Sequence, residues 1–252
     1  MKIDCLMGTY GRYTLASEAL ACFLQQTVKS ATLLIYNQHP VQLRFDHPRV
    51  RIVNEMPPPG SLRHIRRRML ELADPDADLI HFWDDDDLYL PCHLADCLAH
   101  VGGHAAWKPA SCWMSQDGTF SRERNRFEGS WIFRAGYLHA APLDTHPTYT
   151  DHPVYLQTQE SGLLAETELG GATSYIYRWD TGSAHVSGYG HANPEALQQR
   201  AIQLWRARSV DVRRDGRLEP ADLGDHWQHY LAATRRLLSD PEWQANCTRL
   251  AQ

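Results

Sequence analysis

Four consecutive aspartates, Asp84, Asp85, Asp86 and Asp87, stand between the apolar run Leu79-Ile80-His81-Phe82-Trp83 and the segment Leu88-Tyr89-Leu90-Pro91. No other feature restricts this chain so strongly. A short apolar run of that kind reads as a buried strand, so the acidic cluster falls at the strand's carboxyl end, where open α/β sheets bind ligands. Four carboxylates held so close repel one another unless a cation sits among them. Hard divalent ions such as Mn²⁺ and Mg²⁺ suit the place. They take oxygen ligands, use one or two carboxylates, and fill their other positions with water and substrate phosphates. A solvated acidic loop is the plain alternative, but such a loop gains nothing from Phe82-Trp83 before it or from Tyr89 and Pro91 after it.

The rest of the first hundred residues supplies the sheet to which that strand belongs. Apolar strand-like runs (Ile3 to Met7, Thr32 to Tyr36, Val50 to Val53, Leu79 to Trp83) alternate with helical patterns (Thr14 to Gln26, Ser61 to Ala73, Pro91 to Val101). Alternation at this spacing predicts an α/β fold with a doubly wound, mainly parallel sheet. Pro57-Pro58-Pro59-Gly60 cannot continue a strand, and Ser61 after it is placed to cap the next helix. Beyond Gly102 the pattern changes to aromatic-rich runs, Trp107 to Met114 and Phe127 to Phe133, and then to a loop from Pro142 to Thr150. These predict a smaller mixed region over one end of the sheet. From Asn193 the chain turns helical, with Ala196 to Arg208 and His226 to Leu238 separated by a break at Pro220.

Composition excludes several classes. With 252 residues, 43% hydrophobic and 22% charged, the chain can bury a sizeable core and carries no disorder signature. A net charge of -5 argues against a generally basic nucleic-acid-binding surface. No apolar stretch approaches the roughly 18 residues of a spanning helix, and the first eight residues read as a strand rather than a signal peptide, which points to the cytoplasm. The cysteines Cys5, Cys22, Cys92, Cys97, Cys112 and Cys247 are scattered through core-like segments and suit reduced, packed thiols. Cys92, Cys97, His100 and His104 match no tetrahedral zinc spacing, and one helix cannot converge all four.

In order and spacing, Thr9-Tyr10-Gly11-Arg12, Phe23 to Thr27, Ile35-Tyr36-Asn37, Arg66 to Ala73, Phe82 to Pro91 and Gly129 to Arg134 resemble the nucleotide-sugar domain of family 2 glycosyltransferases with the GT-A fold. The likeness spans roughly residues 2 to 190. It implies a catalytic domain over 1–190, with a nucleotide-binding half at 1–102 and an acceptor-side half at 103–190, followed by a helical extension at 191–252. The aspartates resemble the family's Asp-x-Asp metal motif. One departure is plain: the second strand ends in Tyr36-Asn37 where the family usually has an acidic pair. An amide can still hydrogen-bond a pyrimidine edge through its oxygen and amino group.

The resemblance assigns roles to particular residues. Asp86 is the metal ligand, Asp84 the other arm of the motif, and Asp85 the partner of the ribose; Asp87 is either a supporting group or exposed. Arg66, in the run Arg63 to Arg68, resembles the arginine placed beside the diphosphate, and a guanidinium fork suits phosphate oxygens. Thr9, Tyr10, Arg12 and Asn37 line the nucleoside, with packing as an alternative for Tyr10. Gly129 and Trp131 line the donor-sugar pocket, although Trp131 reads equally well as core. His185 is either a third metal ligand, a phosphate donor or a surface residue. An attacking hydroxyl must lose a proton, so a general base is needed. Asp151, opening the helical stretch His152 to Gln159, occupies the position of the base in inverting members, with a helix cap as its alternative role and Asp144 as runner-up.

These roles imply a metal-dependent, inverting transfer of a sugar, from a UDP-linked donor, to a hydroxyl acceptor. A nucleotidyltransferase would share the metal carboxylates, and a non-enzymatic sugar-binding module is a third reading. The acceptor is a glycan or a small molecule, or, as a minority reading, a hydroxylated DNA base held by the cations near Arg206, Arg208, Arg213, Arg214 and Arg217.

Overall fold

The computed structural model describes residues 1–56, 62–116, 118–141, 152–179, 211 and 213–252. Its main sheet has seven strands in the order β10 (Leu164–Thr167), β6 (Ala106–Pro109), β9 (Ile132–Arg134), β4 (Leu79–Phe82), β1 (Ile3–Thr9), β2 (Thr32–Asn37) and β3 (Val50–Asn54). Strands β4, β1, β2 and β3 run parallel, as do β6 and β10, while β9 is antiparallel to both its neighbours. The central strand β1 is buried almost throughout, as a parallel strand covered on both faces must be. One core faces α1 (Tyr13–Gln25) and α3 (His93–His100), and the other faces α2 (Leu62–Leu72) and α5 (His152–Glu160). This is the mainly parallel α/β architecture expected.

The mixed region is a second, four-stranded sheet: β5 (Leu88–Tyr89), β11 (Tyr175–Arg178), β7 (Ser111–Gln116) and β8 (Thr119–Arg124). The aromatic run from Trp107 therefore divides at Ala110, with β6 in one sheet and β7 in the other. The run from Phe127 divides likewise, into a 3₁₀ turn at Glu128–Ser130 and β9, before helix α4 (Ala135–Ala140). Strand β5 positions the site. It begins directly after the four aspartates, so the acidic turn spans the junction of the two sheets and is tied at both ends.

At the carboxyl end, helix α6 (Gly224–Thr234) stops short of the expected Leu238, and a further helix, α7 (Asp240–Ala251), succeeds it. Its start carries a readable signal: Ser239 and Glu242 form a capping box with Pro241 in the first turn. Helix α6 packs on the smaller sheet, where Tyr230 meets Trp113 and Phe120 edge-on, and α7 packs on α6 and on the 3₁₀ turn Gly170–Ala172. Arg249 of α7 reaches Asp96 of α3 at 2.8 Å. Asp211 caps α1, accepting from the amides of Tyr13 and Thr14 at 2.7 and 2.9 Å. The expected helix from Ala196 to Arg208, the Pro57 to Gly60 loop and Ser61 lie outside the described residues. Among the described residues no helix is long and apolar enough to cross a membrane.

Candidate active site

The acidic turn alternates. Asp85 and Asp87 are each 1% exposed, whereas Asp84 and Asp86 are partly open to solvent. The exposed alternative for Asp87 is thereby overturned. Two of the four carboxylates thus face outward and two hold the turn in place.

Asp85 is gripped by Arg12. The guanidinium donates to both Asp85 oxygens, one contact being 3.1 Å, and its Nη1 reaches Asp86 Oδ2 at 3.0 Å. Gly11, just before Arg12, has a φ of 66°, in the left-handed region that side chains avoid. Burial raises the Asp85 carboxyl to about 6, and Asp86 and Asp84 add to the push while Arg12 opposes it. The Arg12 charge is favoured overall: burial works against it, but Asp85 and Asp86 outweigh that cost.

Asp84 receives Arg66 Nη2 at 2.6 Å. The Arg66 side chain is buried and lies over the Phe82 ring, 4.5 Å from its centroid, a cation–π arrangement that fixes the guanidinium plane. The backbone of Asp84 is also fixed, because its N–H donates to Tyr89 Oη at 2.9 Å and that hydroxyl donates to the Gly129 carbonyl at 3.1 Å. Gly129 is accordingly packed against the turn. A Cβ there would come within 2.5 Å of Asp84 Oδ2 and 3.0 Å of Asp87 Oδ2.

Asp87 accepts from Tyr175 Oη at 2.5 Å and from the Arg178 amide at 3.1 Å, both on β11. Burial, then Asp86 and Asp84, push its carboxyl well above the usual range, and these two donors pull it back. Arg178 has two further contacts: Nε donates to the Asp86 carbonyl at 2.6 Å, and Nη1 pairs with Glu18 of α1 at 2.6 Å. Glu18 also accepts His226 of α6 at 2.8 Å. Burial would raise the Glu18 carboxyl, but His226 and Arg178 outweigh it and hold the group below its ordinary value. The chain from α6 through Glu18 and Arg178 to the acidic turn joins elements far apart in sequence. Tyr177, between Tyr175 and Arg178, stacks on Phe127 with ring centroids 3.6 Å apart.

Of the residues expected here, Arg12, Arg66, Asp84, Asp85, Asp86 and Gly129 come together, with Thr9 buried at the end of β1 beside Asp85. Tyr10 is half-buried and meets His39 edge-on. Asn37 is buried and occupied with its own loop: Nδ2 donates to Val41 O at 2.9 Å and Asn54 Oδ1 at 2.8 Å, while Oδ1 accepts the His39 amide at 3.1 Å. Trp131 lies in the core, against Phe133 and Tyr155. Asp151, Asp144 and His185 lie outside the described residues. Arg178, Tyr175, Tyr89 and Glu18 were not anticipated. Tyr89 alone carried a signal, as the aromatic two residues after the acidic run.

No protein-family model matches the sequence, and no curated protein matches it. Solved structures do match the fold. S. aureus TarS residues 1–349 in complex with UDP-GlcNAc aligns with a TM-score of 0.58 at 13% identity, covering 94% of this chain and 72% of that one. The same protein in complex with UDP gives 0.54 at 12% identity over 99% and 88%. The mannosyltransferase PcManGT from Pyrobaculum calidifontis, in complex with GDP-Man and Mn²⁺, gives 0.54 at 14% identity over 99% and 79%. The chain thus shares the GT-A-like α/β fold of these glycosyltransferases.

Proposed function

We propose that the protein is a metal-dependent glycosyltransferase that moves a sugar from a nucleotide diphosphate, UDP-linked by preference, to a hydroxyl acceptor. The observation that carries the reading is the acidic turn itself: two outward carboxylates, Asp84 and Asp86, braced by two buried ones and flanked by Arg12 and Arg66. That donor set fits a hard divalent ion, which needs only one or two carboxylates from the protein. Asp86 and Asp84 would hold Mn²⁺ or Mg²⁺, with His185 as a further donor. The ion would supply positive charge to the diphosphate leaving group. The fold shared with proteins solved with UDP-GlcNAc and GDP-Man supports the same donor class.

The chain's own residues account for the remaining steps. Arg66, fixed over Phe82, is oriented to offer its fork to phosphate oxygens. Arg12 neutralises the turn and exchanges Asp86 for the ligand, while Asp85 reaches the ribose only once Arg12 yields. Thr9, Tyr10 and Asn37 would meet the base and ribose, the Asn37 amide only by giving up its contacts to Val41 and Asn54. In a single in-line displacement, the acceptor oxygen bonds the anomeric carbon as the bond to the diphosphate oxygen breaks, inverting the centre. Asp151, next to the start of α5, takes the acceptor proton. A glycan or small-molecule acceptor is preferred to modified DNA, because Arg213 pairs with Glu219 at 2.8 Å and Arg217 approaches the same carboxylate.

Calorimetry of UDP binding with Mn²⁺ and with chelator, then a screen of nucleotide sugars for hydrolysis and transfer, tests the reading. Binding that needs the ion and release of UDP are expected. Equal affinity under both conditions would remove the metal from the proposal. Release of pyrophosphate when a nucleoside triphosphate and a sugar phosphate are supplied instead would replace sugar transfer by nucleotidyl transfer.

A further inference from the structure

Directly beneath the acidic turn, His81 of β4 and His93 and Cys97 of α3 meet in the core. All three are fully buried, and their donor atoms lie within 4.8 Å of one another. His81 Nε2 and His93 Nε2 are 2.9 Å apart, and Cys97 Sγ is 3.9 Å from the same His93 nitrogen. His93 and Cys97 are four residues apart on one helix, which puts both side chains on one face. The other ring nitrogen of His93 is 3.1 Å from Ser174 Oγ, a partner that aims Nε2 into the cluster as outer partners of metal-bound histidines do.

The adjoining strand offers a further thiol, Cys5, which stands outside the 4.8 Å that holds the first three donors together. Cys5 of β1 is in register with His81 on parallel neighbouring strands and faces the same core, and strands in a sheet are about 4.8 Å apart. We propose that His81, His93, Cys97 and Cys5 form a tetrahedral site for a zinc-class ion that pins β4, and the turn beyond it, to α3. Zn–N bonds of about 2.0 Å and Zn–S bonds of about 2.3 Å put tetrahedral nitrogens roughly 3.3 Å apart and nitrogen and sulfur roughly 3.6 Å apart, so the His81–His93 and His93–Cys97 separations of 2.9 and 3.9 Å are each within about half an ångström of that geometry, and Cys5 closes in as the ion binds. Two thiolates balance a divalent charge, so the loaded centre is neutral and suits a dry core. Burial keeps both thiols protonated until an ion arrives. Loading therefore releases two protons and tightens as pH rises. This set differs from Cys92, Cys97, His100 and His104: His100 stacks on Trp107, and Cys92 faces Arg249. The four donors would bind the ion whether or not the acidic turn serves sugar transfer.

The test is metal analysis of the full chain, purified reduced and without a histidine tag, together with Co²⁺ as a spectroscopic probe. One ion per chain is expected, with the visible bands of tetrahedral Co²⁺ and a near-ultraviolet thiolate-to-cobalt band. Cys97→Ser and Cys5→Ser should each lose one thiolate's share of that band, while Cys22→Ser, a buried thiol outside the set, should keep it whole. Should Cys97→Ser fail to fold, the wild-type protein still decides: chelation must lower Tm, and Zn²⁺ but not Mg²⁺ must restore it. Metal well below one per chain with no cobalt bands and a Tm indifferent to Zn²⁺ overturns the proposal. An unchanged cobalt spectrum in folded Cys97→Ser overturns this ligand set.

Discussion

Replacing Gly129 by alanine adds one methyl group at the most crowded point of the site. The new Cβ would stand 2.5 Å from Asp84 Oδ2 and 3.0 Å from both Asp87 Oδ2 and Tyr175 Oη, where ordinary contacts run to roughly 3.5 Å. Asp84 must therefore retreat by about 1 Å at that oxygen. Its backbone cannot move with it, since Tyr89 ties the Asp84 amide to the Gly129 carbonyl, so the carboxylate swings and strains its 2.6 Å bond to Arg66. The expected stability loss is about 1 to 3 kcal/mol, as for other overpacked sites. The larger effect falls on function: a displacement of about 1 Å in a positioned group costs on the order of 10²-fold in turnover. Gly136→Ala is the matched control, because nothing lies within 4 Å of its Cβ and helix α4 favours alanine by up to about 1 kcal/mol. Urea unfolding and calorimetry of UDP with Mn²⁺ measure both quantities. If Gly129→Ala matches the wild type in unfolding midpoint and in affinity, the turn is not held as described or Asp84 does not serve the ligand.

Glu18→Gln should destabilise the fold by about 3 to 5 kcal/mol at neutral pH, since it leaves the buried Arg178 without its counter-charge. Because the folded-state pKa of Glu18 lies below the unfolded value, its contribution is present above the ordinary carboxylate range and fades on acidification. The variant and wild type should therefore converge in acid, and a constant difference across pH would refute the pairing. Asp85 has the opposite sign: with its folded pKa raised to about 6, stability falls as pH climbs from the unfolded value toward 6. Asp85→Asn should flatten that part of a stability profile measured by thermal unfolding. Arg12→Lys keeps the charge but loses the fork that spans Asp85 and Asp86, so calorimetry should show weaker donor binding; full affinity would show that a point charge suffices. Asp151→Asn should lower transfer by roughly 10² to 10⁴-fold while leaving UDP affinity unchanged, and near wild-type transfer would move Asp144 to the front.

What could be read from the sequence was local. The alternation of strands and helices, the strand from Leu79 and the acidic turn after it are consequences of short-range pattern, and each was legible, the strand ending one residue before the expected Trp83. Gly129 and Arg66, which the resemblance implied, do lie against the acidic turn, for reasons that are steric and electrostatic. The braces were not legible, because nothing adjacent to Glu18 or Arg178 announces that residues 160 positions apart will pair. Tyr175 likewise needs β11 to enter the second sheet beside β5 before its hydroxyl can reach Asp87.

The same distinction explains the histidines and cysteines. Read along the chain, Cys92, Cys97, His100 and His104 invite comparison with metal motifs and fail it. The convergent set of His81, His93 and Cys97 draws on β4 and α3 and becomes visible only in the fold, where strand register also sets Cys5 of β1 opposite His81. His81 lies three residues before Asp84 on a strand that ends at Phe82, so whatever fixes His81 from below limits how far the acidic turn can shift above it. The turn is then held from three directions: by α3 beneath, by β11 through Tyr175 and Arg178, and by Arg12 at the end of β1. A site so braced presents Asp84 and Asp86 in one arrangement, which is the preorganisation that the proposed charge stabilisation at a leaving group would require.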